Sequence, residues 1–223
     1  MNLHLAVRDL HFRMSDLLPL FPLPNVVLFP NVFLPLRIFE PRYRAMVADA
    51  IAGDRMIGMV LLRPGWEHDY EGRPPVFAVG CSGVITHVEA LADGRYNIVL
   101  RGLERFRILE EDHSLGYRRG IVEPWTEPPV DSADRAGVRR QRTKLEAILA
   151  ASHESRGSDP KIPSTMGDED LVNALAQYLD FEPLEKQALL EHRSLRARAE
   201  ALVELLEIKL IMSRTPGCSN VPH

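Results

Sequence analysis

The chain has 223 residues, of which 45% are hydrophobic and 26% are charged, and it carries a formal net charge of -4 at pH 7. Together with a mean hydropathy of -0.13, these values are ordinary for a globular protein and exclude a disordered or membrane-spanning composition. The acidic balance also provides no overall electrostatic field that would attract nucleic acid or an anionic membrane.

The first patterned segment, residues 18–39, is rich in proline, β-branched and aromatic residues. This composition excludes a helix and favours short edge strands joined by bends, because proline cannot donate a hydrogen bond to a neighbouring strand. Asn31 follows Pro30 at a bend where we expect a left-handed backbone, which asparagine tolerates better than most residues. Residues 1–16 lack this pattern, and we expect them to form an N-terminal extension.

A helical period follows over Pro41–Ala52. Proline is favoured at the first position of a helix, and Gly53 stands where a glycine commonly ends one. The apolar side chains that recur at helical spacing are Tyr43, Met46, Val47 and Ala50. The pattern predicts one short amphipathic helix.

A series of short strand patterns then covers residues 56–62, 76–80, 83–91, 95–101, 105–109 and 117–125. Asp93 and Gly94 separate two of these strands, and an Asp-Gly pair in that position strongly indicates a β-hairpin. Many short strands with one early helix predict a small, closed or partly closed β-barrel over residues 17–125.

The remaining sequence is helical in its period. A proline-containing linker at 127–130 precedes predicted helices at 132–151, 171–179, 183–192 and 195–212, the last with glutamates and arginines on its polar side. Residues 152–167 are polar and predict a mobile surface loop. We therefore predict an α+β fold with a helical bundle at 126–212 and a frayed tail at 213–223.

Sequence motifs for catalysis or cofactor binding do not emerge. None of the four lysines follows a glycine-rich loop of the kind that holds a nucleotide phosphate, and no two histidines lie four apart on a helix as zinc ligands would. We therefore expect no cofactor and no metal. Two cysteines, Cys81 and Cys218, do not make a disulfide framework, which favours the reducing cytoplasm.

Two features leave alternatives open. Cys81 and Ser82 lie between Gly80 and Gly83, but the spacing differs from a nucleophile turn and a strand follows instead of a helix, so an inert buried cysteine is the better interpretation. A histidine close to Cys81 in space would instead indicate a small hydrolase. One predicted helical face carries Arg135, Arg139 and Arg142. These arginines could bind an acidic partner, or they could simply be exposed to solvent.

Several segments resemble the N-terminal substrate-binding domain of the Lon ATP-dependent proteases. They are residues 18–30 (LPLFPLPNVVLFP), 34–43 (LPLRIFEPRY), 53–62 (GDRMIGMVLL), 79–85 (VGCSGVI), 93–102 (DGRYNIVLRG), 105–108 (RFRI) and 185–191 (EKQALLE). The likeness extends over about residues 17–212. One departure is Asn31, where the family usually has glycine. Another is that the chain ends after the helices, whereas a full-length Lon protease continues into ATPase and peptidase domains.

The resemblance implies a PUA-like β-barrel followed by helices, and a protein-binding module that lacks ATPase and Ser-Lys peptidase activity of its own. Its partner would be an unfolded or extended polypeptide, or a protein of a proteolytic machine, held at a surface between the barrel and the helices. The site residues that it implies are Phe39, Glu40, Pro41, Arg42, Tyr43, Gly102, Arg105 and Phe106, with Gly102 as a turn. The alternative is RNA binding, because other PUA-like folds bind RNA, although the acidic balance makes nucleic acid an unfavoured partner.

Overall fold

The computed structural model describes residues 17–70, 72–128, 131–154, 163 and 165–214. The predicted extension at 1–16, the tail from 215 onward and most of the predicted mobile loop at 152–167 lie outside the described residues. The strands are β1 (Leu18–Leu23), β2 (Phe33–Ile38), β3 (Met56–Leu61), β4 (Val79–Ala90), β5 (Tyr96–Asp112) and β6 (Arg118–Pro124). The α-helices are α1 (Pro41–Ala52), α2 (Ser132–Glu154), α3 (Asp168–Tyr178), α4 (Pro183–Glu191) and α5 (Leu195–Arg214), and a 3-10 turn spans Trp66–Asp69.

The described strands form one mixed sheet in the order β2-β5-β4-β3-β1-β6. Strand β6 also pairs with the second half of β5, over Phe106 to Asp112, so that five strands form a closed circuit of pairings. Strand β2 pairs with the first half of β5 and extends the sheet outward. The predicted mixture of helices and strands is therefore confirmed as an α+β fold.

The first strand corrects the prediction that all of the proline-rich segment forms edge strands. Strand β1 lies between β3 and β6, with parallel pairing to β3 and antiparallel pairing to β6. The two pairings are staggered: β6 pairs with residues 18–20 and β3 with residues 20–23. Each proline of β1, Pro19 and Pro22, is thus paired on one flank only, which accommodates the missing N–H.

Strands β4 and β5 form the hairpin that Asp93 and Gly94 predict. Gly94 has a φ of 78°, and Leu91 N donates to the carbonyl of Arg95. The strands are longer than predicted, because the segments at 95–101 and 105–109 belong to one continuous strand. Gly102 therefore lies within β5, and the prediction that it turns the chain is wrong.

Helix α1 has the predicted bounds and buries the predicted face. Pro41 occupies its first turn, Gly53 follows its end, and the buried side chains are Tyr43, Met46, Val47 and Ala50. The C-terminal helices pack on one another, with α2, α3 and α4 all contacting α5. One continuous apolar core joins strands, α1 and these helices, and a second, smaller core around Phe106 and Leu20 lies among the strands. No helix of the described residues is long and apolar enough to cross a membrane.

Candidate functional site

The residues at the start of α1 form a compact polar cluster. Glu40 occupies the position before the first residue of the helix, and its two carboxylate oxygens accept from the Tyr70 hydroxyl at 2.5 Å and from Arg42 Nε at 3.0 Å. Arg42 also donates to the carbonyl of Tyr70 at 3.2 Å. Its guanidinium lies over the rings of Tyr43 and Tyr70, at 4.7 and 5.0 Å from the ring centroids. The predicted residues Glu40, Arg42 and Tyr43 are therefore brought together with a residue that the sequence did not single out.

Tyr43 connects this cluster to the core. Its ring centroid lies 4.5 Å from that of Phe21 on β1, and its side chain is buried. Burial raises the pKa of the Tyr43 hydroxyl well above its usual value, the nearby Arg42 partly opposes this, and Glu40 adds to it. Phe39, one residue before the helix cap, is by contrast 61% exposed. Phe39 is thus an aromatic side chain available for contact beside the cluster.

A cavity of about 200 Å³ opens beside this cluster, and we call it the arginine cavity. Its polar and aromatic lining consists of Arg42, Tyr43, Tyr70, Arg73, Tyr117 and Arg118. Its apolar lining consists of Pro22, Leu62, Pro74 and Leu115, and Gly72 and Gly116 complete it. The cavity therefore combines apolar walls with a small number of convergent polar groups, which is typical of binding sites.

The other two arginines of the cavity are fixed by neighbouring segments. Arg118, at the start of β6, is buried and donates to both carboxylate oxygens of Glu111 at 3.1 and 3.2 Å and to the carbonyl of Pro74 at 2.5 Å. Arg73 donates to the carbonyls of Asp112 and Leu115, at 3.3 and 3.0 Å, and contacts His113 Nδ1. These bonds orient the guanidinium groups before any ligand arrives.

Gly102 belongs to a different part of the molecule, where β5 meets the bend at residues 29–31. Gly102 N donates to the carbonyl of Val32 and its own carbonyl accepts from Asn31 N, both at 2.9 Å. Asn31 has the expected left-handed backbone, with a φ of 62°. Side chains of α3 hold the same bend: Gln177 accepts from Phe29 N, and Asn173 donates to the carbonyl of Pro30.

Arg105 lies in a buried polar network at the junction of strands and helices. It donates to the carbonyls of Leu190 and His192 and to Glu127 Oε1, the last at 2.7 Å. Arg198 of α5 donates to the same glutamate oxygen, and it also donates to Asn173 Oδ1 at 2.8 Å. Burial lowers the pKa of Arg105 to about 10, and the positive charge of Arg198 contributes to this.

The junction contains a second cavity, of about 160 Å³, beside Arg105, Trp125 and Glu127. Arg105 and the nearby Arg198 both bond to Glu127 there, and Glu169 also lines this cavity. Phe106 is buried among strands in the smaller core and faces neither cavity. Of the predicted residues, Arg42 and Tyr43 thus line the arginine cavity, Arg105 lines the second cavity, and Gly102 and Phe106 line neither.

The sequence did not identify Tyr70, Arg73 or Arg118 as site residues. Tyr70 and Arg73 come from a polar loop, and Arg118 from a strand whose alternation gives no sign that an arginine points inward. Within the described residues no cluster of three potential metal ligands occurs.

The region around Cys81 and Ser82 bears on the hydrolase alternative. Cys81 is fully buried, its thiol donates to the carbonyl of Ser82, and the Ser82 hydroxyl donates to the carbonyl of Glu104 at 3.0 Å. Burial raises the pKa of the Cys81 thiol to about 12. Neither side chain has a histidine among its hydrogen-bond partners in the part of the chain described.

We expect Cys81 to resist alkylation in the folded protein. In a Cys218→Ser variant, iodoacetamide at pH 8 should modify Cys81 only as fast as the protein unfolds, because a buried thiol with a raised pKa forms little thiolate. Mass spectrometry at increasing urea concentration measures this rate, with the unfolded protein as the fully reactive control. Rapid alkylation without denaturant would show that Cys81 is accessible, and it would favour the alternative that the protein is a hydrolase.

Comparison with known proteins identifies the family. Residues 17–207 match the family model of the ATP-dependent protease La (LON) substrate-binding domain. Lon protease 2 of Myxococcus xanthus is 30% identical over 197 residues, which are 87% of this chain and 24% of that protein. A Lon protease of Anaeromyxobacter dehalogenans is 27% identical over 195 residues, with 86% and 23% covered. The chain thus spans about a quarter of the length of these relatives.

Solved structures agree on the fold. The N-terminal domain of a Lon protease from the Mycobacterium avium complex is similar with a TM-score of 0.64 and 18% identity, covering 86% of this chain and 98% of that one. A Lon N-terminal domain protein from Xanthomonas campestris is similar with a TM-score of 0.53 and 22% identity, covering 90% and 99%. Because the family model matches most of the chain, the protein belongs to the LON substrate-binding domain family.

Proposed function

We propose that the chain is a non-catalytic module that binds unfolded or extended polypeptide, and that the arginine cavity is part of its contact surface. The observation that carries this proposal is the cavity itself, in which arginine and tyrosine side chains converge between apolar walls. Tyrosine and arginine are enriched among the residues that dominate binding energy at protein interfaces. Membership of a substrate-binding family supports the same function.

The arginine cavity is a better candidate than the junction between strands and helices, which is the surface that the resemblance implies. The continuous core joins strands and helices across the junction, and the cavity that remains there is smaller, at about 160 Å³. The arginine cavity instead has Leu115 at 37% exposure in its lining, so that apolar surface is available to a partner. Exposed apolar groups beside a polar pocket suit an extended segment of polypeptide.

Finer assignments belong to the same proposal. The closed circuit of strands supports a PUA-like β-barrel, because the return of β6 to β5 is what a barrel requires. The names of the relatives, which are proteases, support a partner that is a substrate or a component of a proteolytic machine. A cytoplasmic location rests on the cysteine content alone. The chain itself would supply binding, with no ATPase, peptidase, cofactor or metal chemistry.

We expect a labelled unfolded peptide to bind at micromolar affinity or weaker and with mild salt sensitivity, because apolar contact should provide much of the binding energy. Fluorescence anisotropy with the peptide and with a labelled single-stranded RNA, each at two salt concentrations, measures this. Binding to RNA that falls by about 10³ over a modest rise in salt, with no peptide binding, would favour the RNA alternative.

Two substitutions locate the surface. Gly116→Trp should abolish most peptide binding, because Gly116 lines the cavity and an added Cβ there meets nothing within 4 Å, so the indole can fill the mouth without displacing the core. Ala147→Trp, on an exposed position of α2, is the matched control and should leave binding unchanged. Equal peptide affinity in the two variants would place the binding surface elsewhere.

A further inference from the structure

We propose that the arginine cavity recognises a carboxylate group of the bound polypeptide, either its free C-terminus or the side chain of an aspartate or glutamate. This inference rests on the proposed function, since it specifies what part of a polypeptide enters the cavity. The cavity is smaller than the roughly 300–1,000 Å³ of sites for whole small molecules. A volume of about 200 Å³ suits one side chain or the end of a chain.

The three arginines that line the cavity differ in their carboxylate partners. Arg42 pairs with Glu40 at 3.0 Å and Arg118 pairs with Glu111 at 3.1 Å. Arg73 pairs with no carboxylate among the described residues, and its donors bond to the carbonyls of two residues and to a histidine nitrogen. The nearby carboxylate of Asp112 is already bonded to Arg119, at 2.6 Å. Two further carboxylates lie beside the lining, since Asp49 accepts from Tyr117 at 2.7 Å and Asp69 packs against Gly72. Arg73 is therefore the lining arginine whose charge no carboxylate of the described residues pairs.

The arginines also repel one another across the cavity. Burial lowers the pKa of Arg118, Glu111 opposes this, and the positive charges of Arg73 and Arg42 lower it further. Such repulsion is larger in a partly enclosed site than in water, because the surrounding protein screens charge less well. An anion placed among the three guanidinium groups would relieve the repulsion, and this favours a negatively charged ligand.

A carboxylate attached to an aliphatic group matches the lining of the cavity better than a small inorganic anion does. Guanidinium groups present parallel N–H donors that match the two oxygens of a carboxylate. The apolar walls at Pro22, Leu62 and Pro74 would contact the aliphatic part of a side chain or of a C-terminal residue. Nucleic acid would instead require a run of basic groups along the surface, whereas these three arginines line a single cavity.

The test uses one labelled, unstructured peptide with a free C-terminus and a single glutamate, made in matched forms. One form has an amidated C-terminus, one has glutamine in place of glutamate, and one has both changes. We expect one single change to weaken binding about tenfold or more, because a charge-assisted hydrogen bond in a partly buried site contributes about that much. Which form loses affinity identifies the source of the carboxylate.

Protein variants assign the effect to the cavity. Arg73→Gln should remove the difference in affinity between the charged and neutral peptides, while Arg73→Lys should keep part of it because the charge remains. Arg140→Gln, at an exposed position on α2, removes the same charge and is the matched control. Circular dichroism and the midpoint of urea unfolding show whether each variant is folded. The comparison of the peptide forms uses the unmodified protein, so it does not depend on the folding of any variant.

The outcomes separate this inference from the proposed function. Equal binding of all peptide forms would overturn carboxylate recognition and leave polypeptide binding in place. Failure of every form to bind would overturn both. RNA binding that is stronger than peptide binding and is lost in Arg73→Gln would show that the cavity takes a phosphate, which also overturns the inference.

Discussion

Replacing Gly102 by alanine should destabilise the protein by about 3 kcal/mol, the upper part of the usual range for overpacking a filled site. An ideal Cβ at Gly102 would lie 2.0 Å from the carbonyl oxygen of Phe29 and 2.9 Å from its carbonyl carbon. These are backbone atoms and cannot rotate away as a side chain would. The bend cannot retreat without cost, because its backbone bonds to Gly102 on one side and to Gln177 and Asn173 of α3 on the other.

Gly116→Ala is the matched control for this prediction. An added Cβ at Gly116 meets nothing within 4 Å, and its backbone does not have a positive φ. Its free energy of unfolding should change by about 0.5 kcal/mol or less, or rise slightly because alanine restricts the unfolded chain. Urea unfolding followed by circular dichroism compares the two variants with the parent. Similar midpoints for Gly102→Ala and Gly116→Ala would show that the close approach at Gly102 does not constrain the fold.

Gly102 also illustrates which features can be predicted from the sequence and which cannot. The bounds and the buried face of α1 follow from local signals, since Pro41, Gly53 and the spacing of the apolar residues all act within one helix. The hairpin at Gly94 follows for the same reason. The contact between Gly102 and the bend joins residues about seventy positions apart, so no local sequence pattern indicates it. The sequence therefore predicts a turn at a glycine that lies inside a strand.

The candidate site shows the same division. Family resemblance pointed to Arg42 and Tyr43, which do line the arginine cavity. It also pointed to Arg105, which bonds to Glu127 beside the second cavity, and to Phe106, which is buried in the smaller core. Arg73 and Arg118 acquire their positions from the pairing of distant segments, and an arginine in a loop or an alternating strand usually faces solvent. Their role becomes visible only when the segments are assembled.

Arg198 departs furthest from the expectation for its helix. The pattern of α5 places glutamates and arginines on the polar side, yet Arg198 is fully buried. Its partner Glu127 comes from the linker between β6 and α2, where the sequence indicates only a connection. The linker thus provides the carboxylate that compensates the charge of two buried arginines. The predicted division of the chain between residues 125 and 126 into a barrel and a helical part stays a prediction.

Glu127→Gln should accordingly destabilise the protein by about 3 kcal/mol, because removing one partner of a buried ion pair leaves its charge uncompensated. Both arginines would lose their carboxylate, although Arg105 keeps two carbonyl acceptors and Arg198 keeps Asn173. Glutamine preserves the size of the side chain and one oxygen acceptor, so the loss reports charge more than packing. Urea unfolding at pH 7 measures it.

Glu123→Gln is the control, because Glu123 pairs with Arg107 at the surface, where the two side chains are 36% and 46% exposed. Exposed pairs contribute about 0–1 kcal/mol, so this variant should stay close to the parent. A second step separates charge from packing: adding Arg198→Met to Glu127→Gln should recover part of the lost stability, since apolar replacements of buried ions are often neutral or favourable. If Glu127→Gln lowers the free energy of unfolding no more than Glu123→Gln does, the linker does not hold the strands and helices together through charge. Solvent or Glu169 would then already compensate the charge of the two arginines. Burial raises the pKa of Glu169, and the charge of Glu127 adds to this rise.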